Sequence, residues 1–325
     1  MNPKVAVLVC ALAAGSAFAQ VDDWYQLMLT AEAQGRAGNY TQALNLYRRA
    51  SAAVEASADL RFAKALAGMA NTYDEMGRYQ EAEHLFRRAL ALAETIAGKE
   101  SPDYAGMVVN LAMHYSELEQ GAKAEKTIRE GIAILTKTVP PDDVRLAQAR
   151  NCLAVLLMSG RRTGEVETLL QQALAAYRKH PDPESGRVQV AVANMGALRR
   201  FQGRNREAAE YFEQSIALVD AELGDDHPLL LRTLNNLALV DAVLDRRDAA
   251  AAAFERAVSI VEKRKLESNP VYGKLLLNYA AFERKMGNKK SAKALEVRAR
   301  AVLADSERSN GAGMTVDAAA FRSAR

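Results

Sequence analysis

Residues 66–90 read LAGMANTYDEMGRYQEAEHLFRRAL and contain two apolar runs at helical spacing, one on each side of Gly77. Glycine can adopt the left-handed backbone conformation that ends a helix, so the break between the runs has a physical cause. A small side chain, Ala82, stands where two helices must approach closely, and the larger Tyr73 and Phe86 fill the space beside it. The stretch therefore predicts a helix–turn–helix hairpin.

The hairpin pattern recurs along the chain at a fixed interval. The small residue of the second helix recurs at Ala43, Ala82, Ala124, Val166, Ala208, Ala250 and Ala292. A second small residue, called here the anchor, marks each first helix at Ala31, Ala70, Ala112, Ala154, Gly196, Ala238 and Ala280. The first interval is 39 residues and the next five are all 42 residues. Equal intervals of this length predict a solenoid, in which each hairpin packs on its neighbours.

Several motifs make the sequence similar to a known family. First helices carry Leu-Ala-x-x-Tyr, turns carry Gly-x-Tyr-x-x-Ala, and the sequence LGDDHP links two hairpins at Leu223–Pro228. These motifs resemble tetratricopeptide repeats, in the 42-residue version found in kinesin light chains and many bacterial proteins, over roughly residues 22–304. The resemblance implies an all-α, right-handed α-solenoid of about seven hairpins that binds other proteins.

The amino terminus, residues 1–19, resembles a secretory signal peptide. Lys4 supplies the positive charge, Val5–Ala14 the apolar stretch, and Ala17–Ala19 a small-x-small cleavage site. The apolar stretch is too short to span a bilayer. We therefore expect a chain that is cleaved after Ala19 and exported, to a bacterial periplasm, without membrane insertion. An uncleaved amino-terminal helix is the alternative.

The repeat predicts one elongated solenoid over residues 20–305. Residues 306–325 break the repeat period, and we expect a flexible carboxy-terminal tail there. Two alternatives remain open for this tail. It is either disordered or folded back, with Val316 and Phe321 contacting the solenoid.

The charge balance argues against a general polyanion partner. The formal net charge of +3 falls to +2 once Lys4 is removed with the signal peptide, so we expect no nucleic-acid binding. Cys152 is the only cysteine beyond the signal peptide and lies in an apolar helix, where we expect a small buried thiol. The basic pairs Arg246–Arg247 and Lys289–Lys290 are expected at the carboxyl ends of first helices, where they would complement the helix dipole.

No enzyme motif is found in the sequence. It contains no glycine-rich phosphate loop, nucleophile elbow or paired-cysteine site. The histidines are far apart and never at metal-ligand spacing: His84, His114, His180 and His227. We therefore predict no catalytic residue, no metal and no cofactor, and we expect His227 to form a turn and cap before Pro228.

A register of polar residues is the candidate site. Two positions before the anchors stand Asn110, Cys152, Asn194, Asn236 and Asn278. In stacked repeats this position resembles the one that faces the concave groove. An asparagine amide both donates and accepts, so it can pair with a peptide backbone of any sequence. The alternative is that these asparagines cap turns or bridge neighbouring hairpins.

Basic residues accompany the last two asparagines. Arg232 and Lys274 precede Asn236 and Asn278 by four residues, which resembles the way some tetratricopeptide domains hold a peptide's terminal carboxylate. The neighbouring turns add Arg200, Arg284 and Lys285, so we predict a basic carboxy-terminal half of the groove. The second hairpin offers Asp74 and Glu75, so we predict a more acidic opposite end.

These features predict a non-enzymatic scaffold or adaptor for the bacterial envelope. Its concave groove would bind a protein or peptide segment, with an acidic or carboxylate end at the basic half. A chaperone-like holder of exported or unfolded chains is the alternative, and a hydrophobic, weakly selective groove would favour it. The sequence does not predict the partner or the oligomeric state.

Overall fold

The structure, a computed structural model, describes the backbone of residues 23–310 except 58, 159, 161, 183–184 and 268–269, and the side chains of these residues except those of 270 and 305–310. The predicted signal peptide and its cleavage site lie outside the described residues. So do Val316 and Phe321 of the predicted tail.

Fourteen helices in the described part of the chain form seven consecutive hairpins, so the predicted all-α solenoid is confirmed. The helices are α1 (23–36), α2 (Tyr40–Val54), α3 (Leu60–Glu75), α4 (Tyr79–Ala97), α5 (Pro102–Glu117), α6 (Gly121–Thr138), α7 (Val144–Leu157), α8 (Thr163–Lys179), α9 (Arg187–Phe201), α10 (Asn205–Glu222), α11 (Leu230–Val243), α12 (Arg247–Arg264), α13 (Pro270–Lys285) and α14 (Lys289–Asn310). Helix α14 continues past residue 305, where we predicted the end of the solenoid.

In six of the seven hairpins, the described part of the turn contains one left-handed residue. Gly77 has φ of +71° after α3, and its amide donates to the Asp74 carbonyl at 2.8 Å. In the third and sixth hairpins the same position holds Glu119 and Asp245, each with φ of 59°. A β-carbon disfavours this conformation by about 1 kcal/mol, so these two turns are strained where the glycine turns are not.

The core lies between the two helices of each hairpin, as the small and large positions predict. Each anchor alanine is at most 1% exposed. At the one glycine anchor, Gly196, an added β-carbon would lie 2.9 Å from Cδ1 of Phe212, so the helices approach even more closely there. In the last hairpin Leu295 is buried, as expected for a replacement of Glu296, and Glu296 instead pairs with Arg284.

The odd-numbered helices form the inner surface of the solenoid. Helix α3 packs on α5, α5 on α7, α9 on α11, and α11 on α13, whereas successive even-numbered helices contact one another less in the described part. Elements that stay in closer contact along a curved stack lie on its concave side. The inner surface is therefore built by the first helix of each hairpin.

The curvature brings the first hairpin back against the sixth. Gly38, in the turn between α1 and α2, lies against Pro228 and Leu266, which precede and follow the sixth hairpin. Tyr40 packs on the hydrophobic cluster formed by the fifth to seventh hairpins. We call this contact the seam. Sequence analysis did not predict it.

The expectation for the basic pairs was wrong. Arg246 caps the amino end of α12 and Arg247 begins it, while Lys289 begins α14. The turns are so short that these pairs fall at the start of second helices, where the helix dipole disfavours cations. Nearby carboxylates offset this, since Asp241 lies 3.4 Å from Arg246 and Asp245 lies 2.8 Å from Arg247.

Candidate binding channel

A stripe of accessible residues runs along the inner surface. Counted from each anchor, its members stand six and two residues earlier and one and five residues later in the sequence. These four positions share one face of a helix. In α11 these residues are Arg232, Asn236, Leu239 and Val243. No described residue of this inner stripe is buried, whereas every anchor is.

The inner stripe holds most of the exposed large apolar side chains. Seven such side chains are exposed in the described residues, and five belong to the stripe: Tyr25 (55%), Leu29 (42%), Val155 (37%), Phe201 (48%) and Val243 (66%). The other two, Ile96 and Val297, lie on even-numbered helices. An accessible apolar surface of this kind is typical of an interaction site, so the stripe can contact an apolar segment of another molecule.

The space in front of the stripe is confined. Cys152 is partly exposed and Arg200 is exposed, yet burial raises the pKa of the Cys152 thiol to about 12 and lowers the pKa of Arg200. Glu75 behaves in the same way, since it is exposed but desolvation by surrounding protein is the largest effect raising its pKa. Each of these groups touches solvent and is still surrounded by protein on most sides. Since the first hairpin also packs against the sixth at Gly38, the inner surface is a channel.

The charges of the channel differ between its two halves. The stripe of the first three hairpins holds carboxylates together with two basic residues, which pair with Glu32 and Asp103: Glu32, Glu75 and Glu117 with Arg36 and Lys64. In the sixth and seventh hairpins its charged members are all basic: Arg232, Lys274 and Lys285. Arg232 and Lys274 are both exposed. The structure thus brings the predicted Arg232–Asn236 and Lys274–Asn278 pairs onto the inner stripe.

Two of the predicted asparagines bridge neighbouring hairpins. The Nδ2 group of Asn194 donates to Oδ1 of Asn151 at 2.9 Å, and Nδ2 of Asn278 donates to Oδ1 of Asn235 at 3.0 Å. This is the bridging role that sequence analysis left open. The signal was present in the sequence, since both pairs are 43 residues apart, one more than the repeat.

The other two asparagines have no such bridge. The residues 43 positions before Asn110 and Asn236 are Ala67 and Ala193, which offer no side-chain acceptor. Both asparagines are partly exposed, and the described residues give their amides no hydrogen-bond partner. Asn110 and Asn236 therefore keep their amides available to a ligand.

The two remaining predicted basic residues lie beside the stripe, one position before its last member. Arg200 is exposed at the end of α9. Arg284, near the end of α13, forms an ion pair with Glu296 of α14 at 2.5 Å. Its charge is already compensated within the last hairpin, unlike that of Lys274.

A buried polar pair, missed by sequence analysis, joins the second and third hairpins. Nδ1 of His114 lies 2.8 Å from Oδ1 of Asp74, and His114 is fully buried. Burial raises the pKa of Asp74, and His114 opposes this effect. Asp74 was predicted as part of the acidic end, but its carboxylate is committed to this contact.

The structure shows no metal centre in its described part, where no three His, Cys, Asp or Glu side chains lie together in a suitable arrangement. His227 has the capping role that we expected, because the Leu229 amide donates to its Nδ1 at 3.2 Å. Of the described helices, none has the length and apolar content to cross a membrane.

Known proteins share the repeat and the fold. Two family models for the tetratricopeptide repeat match residues 188–263 and 62–103. No curated protein matches the sequence.

Solved structures with the same architecture include regulators of the Rap type. The Rap conjugation gene regulator of plasmid pLS20, in complex with the Phr* peptide, has a TM-score of 0.66 at 12% identity, covering 91% of this chain and 77% of that chain. A Rap protein complexed with competence and sporulation factor has a TM-score of 0.58 at 14% identity, covering 91% and 100%. Aspartyl phosphate phosphatase F from Bacillus subtilis has a TM-score of 0.54 at 14% identity, covering 85% and 77%.

At these identities the similarity shows the fold alone. The repeat spacing and the seven hairpins agree with the two family matches. Residues 62–103 and 188–263 of this chain therefore contain tetratricopeptide repeats, within a stack of seven hairpins.

Proposed function

We propose that the channel binds an extended segment of a partner protein and that the chain acts as an interaction scaffold. The observation that carries this proposal is the inner stripe, which stays accessible in every hairpin and carries five exposed large apolar side chains. Two of the similar structures are complexes, one with the Phr* peptide and one with competence and sporulation factor, which is consistent with this use of the fold.

The polar members of the stripe set the orientation of the segment. Asn236 pairs with the segment's backbone through its uncommitted amide, one helical turn from the guanidinium of Arg232. Lys274 extends the positive charge to the next hairpin. An acidic or carboxylate end of the segment therefore lies at the sixth and seventh hairpins, and its apolar side chains contact Phe201 and Val243.

We place this scaffold in the bacterial envelope, since residues 1–19 resemble a signal peptide that would export the chain. The proposed mechanism is non-covalent binding, and it uses no catalytic group among the described residues.

Capture of partners by two matched variants tests the proposal. The channel variant carries Phe201→Ala, Asn236→Ala and Val243→Ala, and the control variant carries Ile96→Ala and Val297→Ala on even-numbered helices. All five side chains are at least partly exposed, so both variants should keep the helicity and melting temperature of the wild type. A discrete partner retained by the control and lost by the channel variant supports the proposal. A partner retained by both variants contradicts it.

The second candidate function is a chaperone-like holder, which the exposure of Phe201 and Val243 favours. A holder binds many chains through apolar contact alone. Reduced, carboxymethylated α-lactalbumin, an unrelated unfolded chain, should then displace the captured partner, and Asn236→Ala alone should have no effect. Under the scaffold proposal the unfolded chain does not compete.

A further inference from the structure

The seam is a close apolar contact between parts of the chain that are distant in sequence. A β-carbon added at Gly38 would lie 2.8 Å from Cδ2 of Leu266 and 3.3 Å from Cγ of Pro228. Gly38 and Leu266 are both buried. The contact therefore requires glycine for its space as well as for its φ of +79°.

Charges of opposite sign extend the seam on both sides of this contact. Arg187, which begins the fifth hairpin, acts on Glu32 of the first. Arg232, near the start of the sixth hairpin, is the charged group with the largest effect on Glu75 of the second. Both electrostatic interactions run between the end of a first helix near its turn, in an early hairpin, and the start of a first helix in a late one. The seam therefore follows the edge along which successive turns of the solenoid meet.

The seam shares residues with the proposed binding site. Glu75 and Arg232 both belong to the inner stripe, and the packing of Gly38 on Leu266 and Pro228 closes the stack between the first and sixth hairpins. An extended segment must then thread through an end of the channel or enter while the seam is open.

We propose that the seam is a gate: it holds Gly38 against Leu266 and Pro228 while it is closed, and it opens to admit the partner segment to the inner stripe. This inference rests on the proposed function, because it concerns access to the same stripe.

The seam can open without unfolding the hairpins. Consecutive hairpins pack along the length of their helices, and in a solenoid these neighbour contacts carry the stability. The seam, in contrast, consists of the close contact at Gly38, the packing of Tyr40 and the charged groups on either side of them. Its opening changes the curvature of the stack and leaves each hairpin intact.

Cys152 reports on access to the channel, because it belongs to the inner stripe and is partly exposed. In the full chain with Cys10→Ser, we would measure its labelling by iodoacetamide and by a polyethylene-glycol maleimide too bulky for the closed channel. The ratio of the two labelling rates reports how easily a bulky reagent reaches the thiol. The raised pKa of the thiol slows both reagents alike, so it cancels in the ratio.

Gly38→Val opens the gate by a clash with Leu266 and Pro228, and Gly203→Val is the matched control. Gly203 has a similar φ of +74° in the turn of the fifth hairpin, but an added β-carbon there meets nothing within 4 Å. We expect Gly38→Val to speed the labelling of Cys152 by the polyethylene-glycol maleimide by about tenfold relative to Gly203→Val. Labelling by iodoacetamide should stay unchanged.

Glu75→Gln provides a second variant in case Gly38→Val fails to fold. Glu75 is exposed, so the substitution removes the attraction to Arg232 without disturbing the core. It should also speed bulky labelling, and added salt should do so in the wild type. If bulky labelling stays unchanged with Glu75→Gln and in added salt, or if Gly203→Val increases it as much as Gly38→Val, the gate is overturned. The proposed function would survive that result, because partner capture tests it separately.

Discussion

The bridge between Asn151 and Asn194 gives a prediction with a defined magnitude. The two side chains join α7 to α9 through one hydrogen bond of 2.9 Å, and both are partly exposed. A neutral hydrogen bond contributes about 1 kcal/mol to stability, and water can partly replace it at a site of this exposure. We therefore expect Asn194→Ala to lower the free energy of unfolding by about 1 kcal/mol, with a coupling to Asn151→Ala of about 0.5–1 kcal/mol.

The assay is a double-mutant cycle measured by urea unfolding with circular dichroism, using both single variants and the double variant. Asn236→Ala is the matched control, since Asn236 holds the same repeat position but has an alanine opposite it. It should change the free energy of unfolding by less than about 0.5 kcal/mol. Absence of coupling between Asn151 and Asn194, or an equal cost for Asn236→Ala, would refute the division into bridging and available asparagines.

Three further predictions concern stability. Glu119→Gly should stabilise the chain by about 0.5–1 kcal/mol in urea unfolding, because glycine relieves the φ of 59°; no gain would mean that the turn is unstrained. Phe254→Ala should lower the free energy of unfolding by about 3–5 kcal/mol, since the fully buried ring stacks on Tyr279 at a centroid distance of 5.0 Å. A decrease of less than about 1 kcal/mol would contradict this packing. Burial, with help from Arg264 and Arg36 and against Asp226, lowers the pKa of His227 from 6.5 to about 4. The unfolded chain therefore binds the proton of His227 more readily than the folded chain. The free energy of unfolding should fall by up to about 3 kcal/mol as the pH drops from about 6.5 to 4. Thermal melts of His227→Gln should lack this pH-dependent loss of stability.

The local architecture could be predicted because it repeats. Every hairpin carries its own small anchor and turn, so each of the seven supplied an independent observation of the same packing. The replacement of Glu296 by Leu295 in the last hairpin could be predicted on the same ground. The basic pairs could not be placed correctly, because the turn is so short that Arg246, only three residues after the end of α11, already caps the start of α12.

The channel was harder to predict than the hairpins. The offset that places Asn236 and Arg232 on the inner stripe follows from helix geometry. The bridge from Asn194 to Asn151 depends on how far one hairpin is displaced along the next. The seam between Gly38 and Leu266 depends on curvature summed over several hairpins. Small packing angles at each interface set that curvature, and the sequence does not display them.

The most direct test of the account is photo-crosslinking from inside the channel. p-Benzoylphenylalanine would replace Val243, the most exposed apolar residue of the inner stripe at 66%, or Val297 on α14, which is 58% exposed. Both chains would be illuminated in extracts of the source cells, and the adducts would be identified by mass spectrometry. We predict adducts at Val243 that map to one short segment of a partner protein and are absent at Val297. Equal labelling at both positions, or no adduct at Val243 while the protein still captures its partner, would contradict binding in the channel.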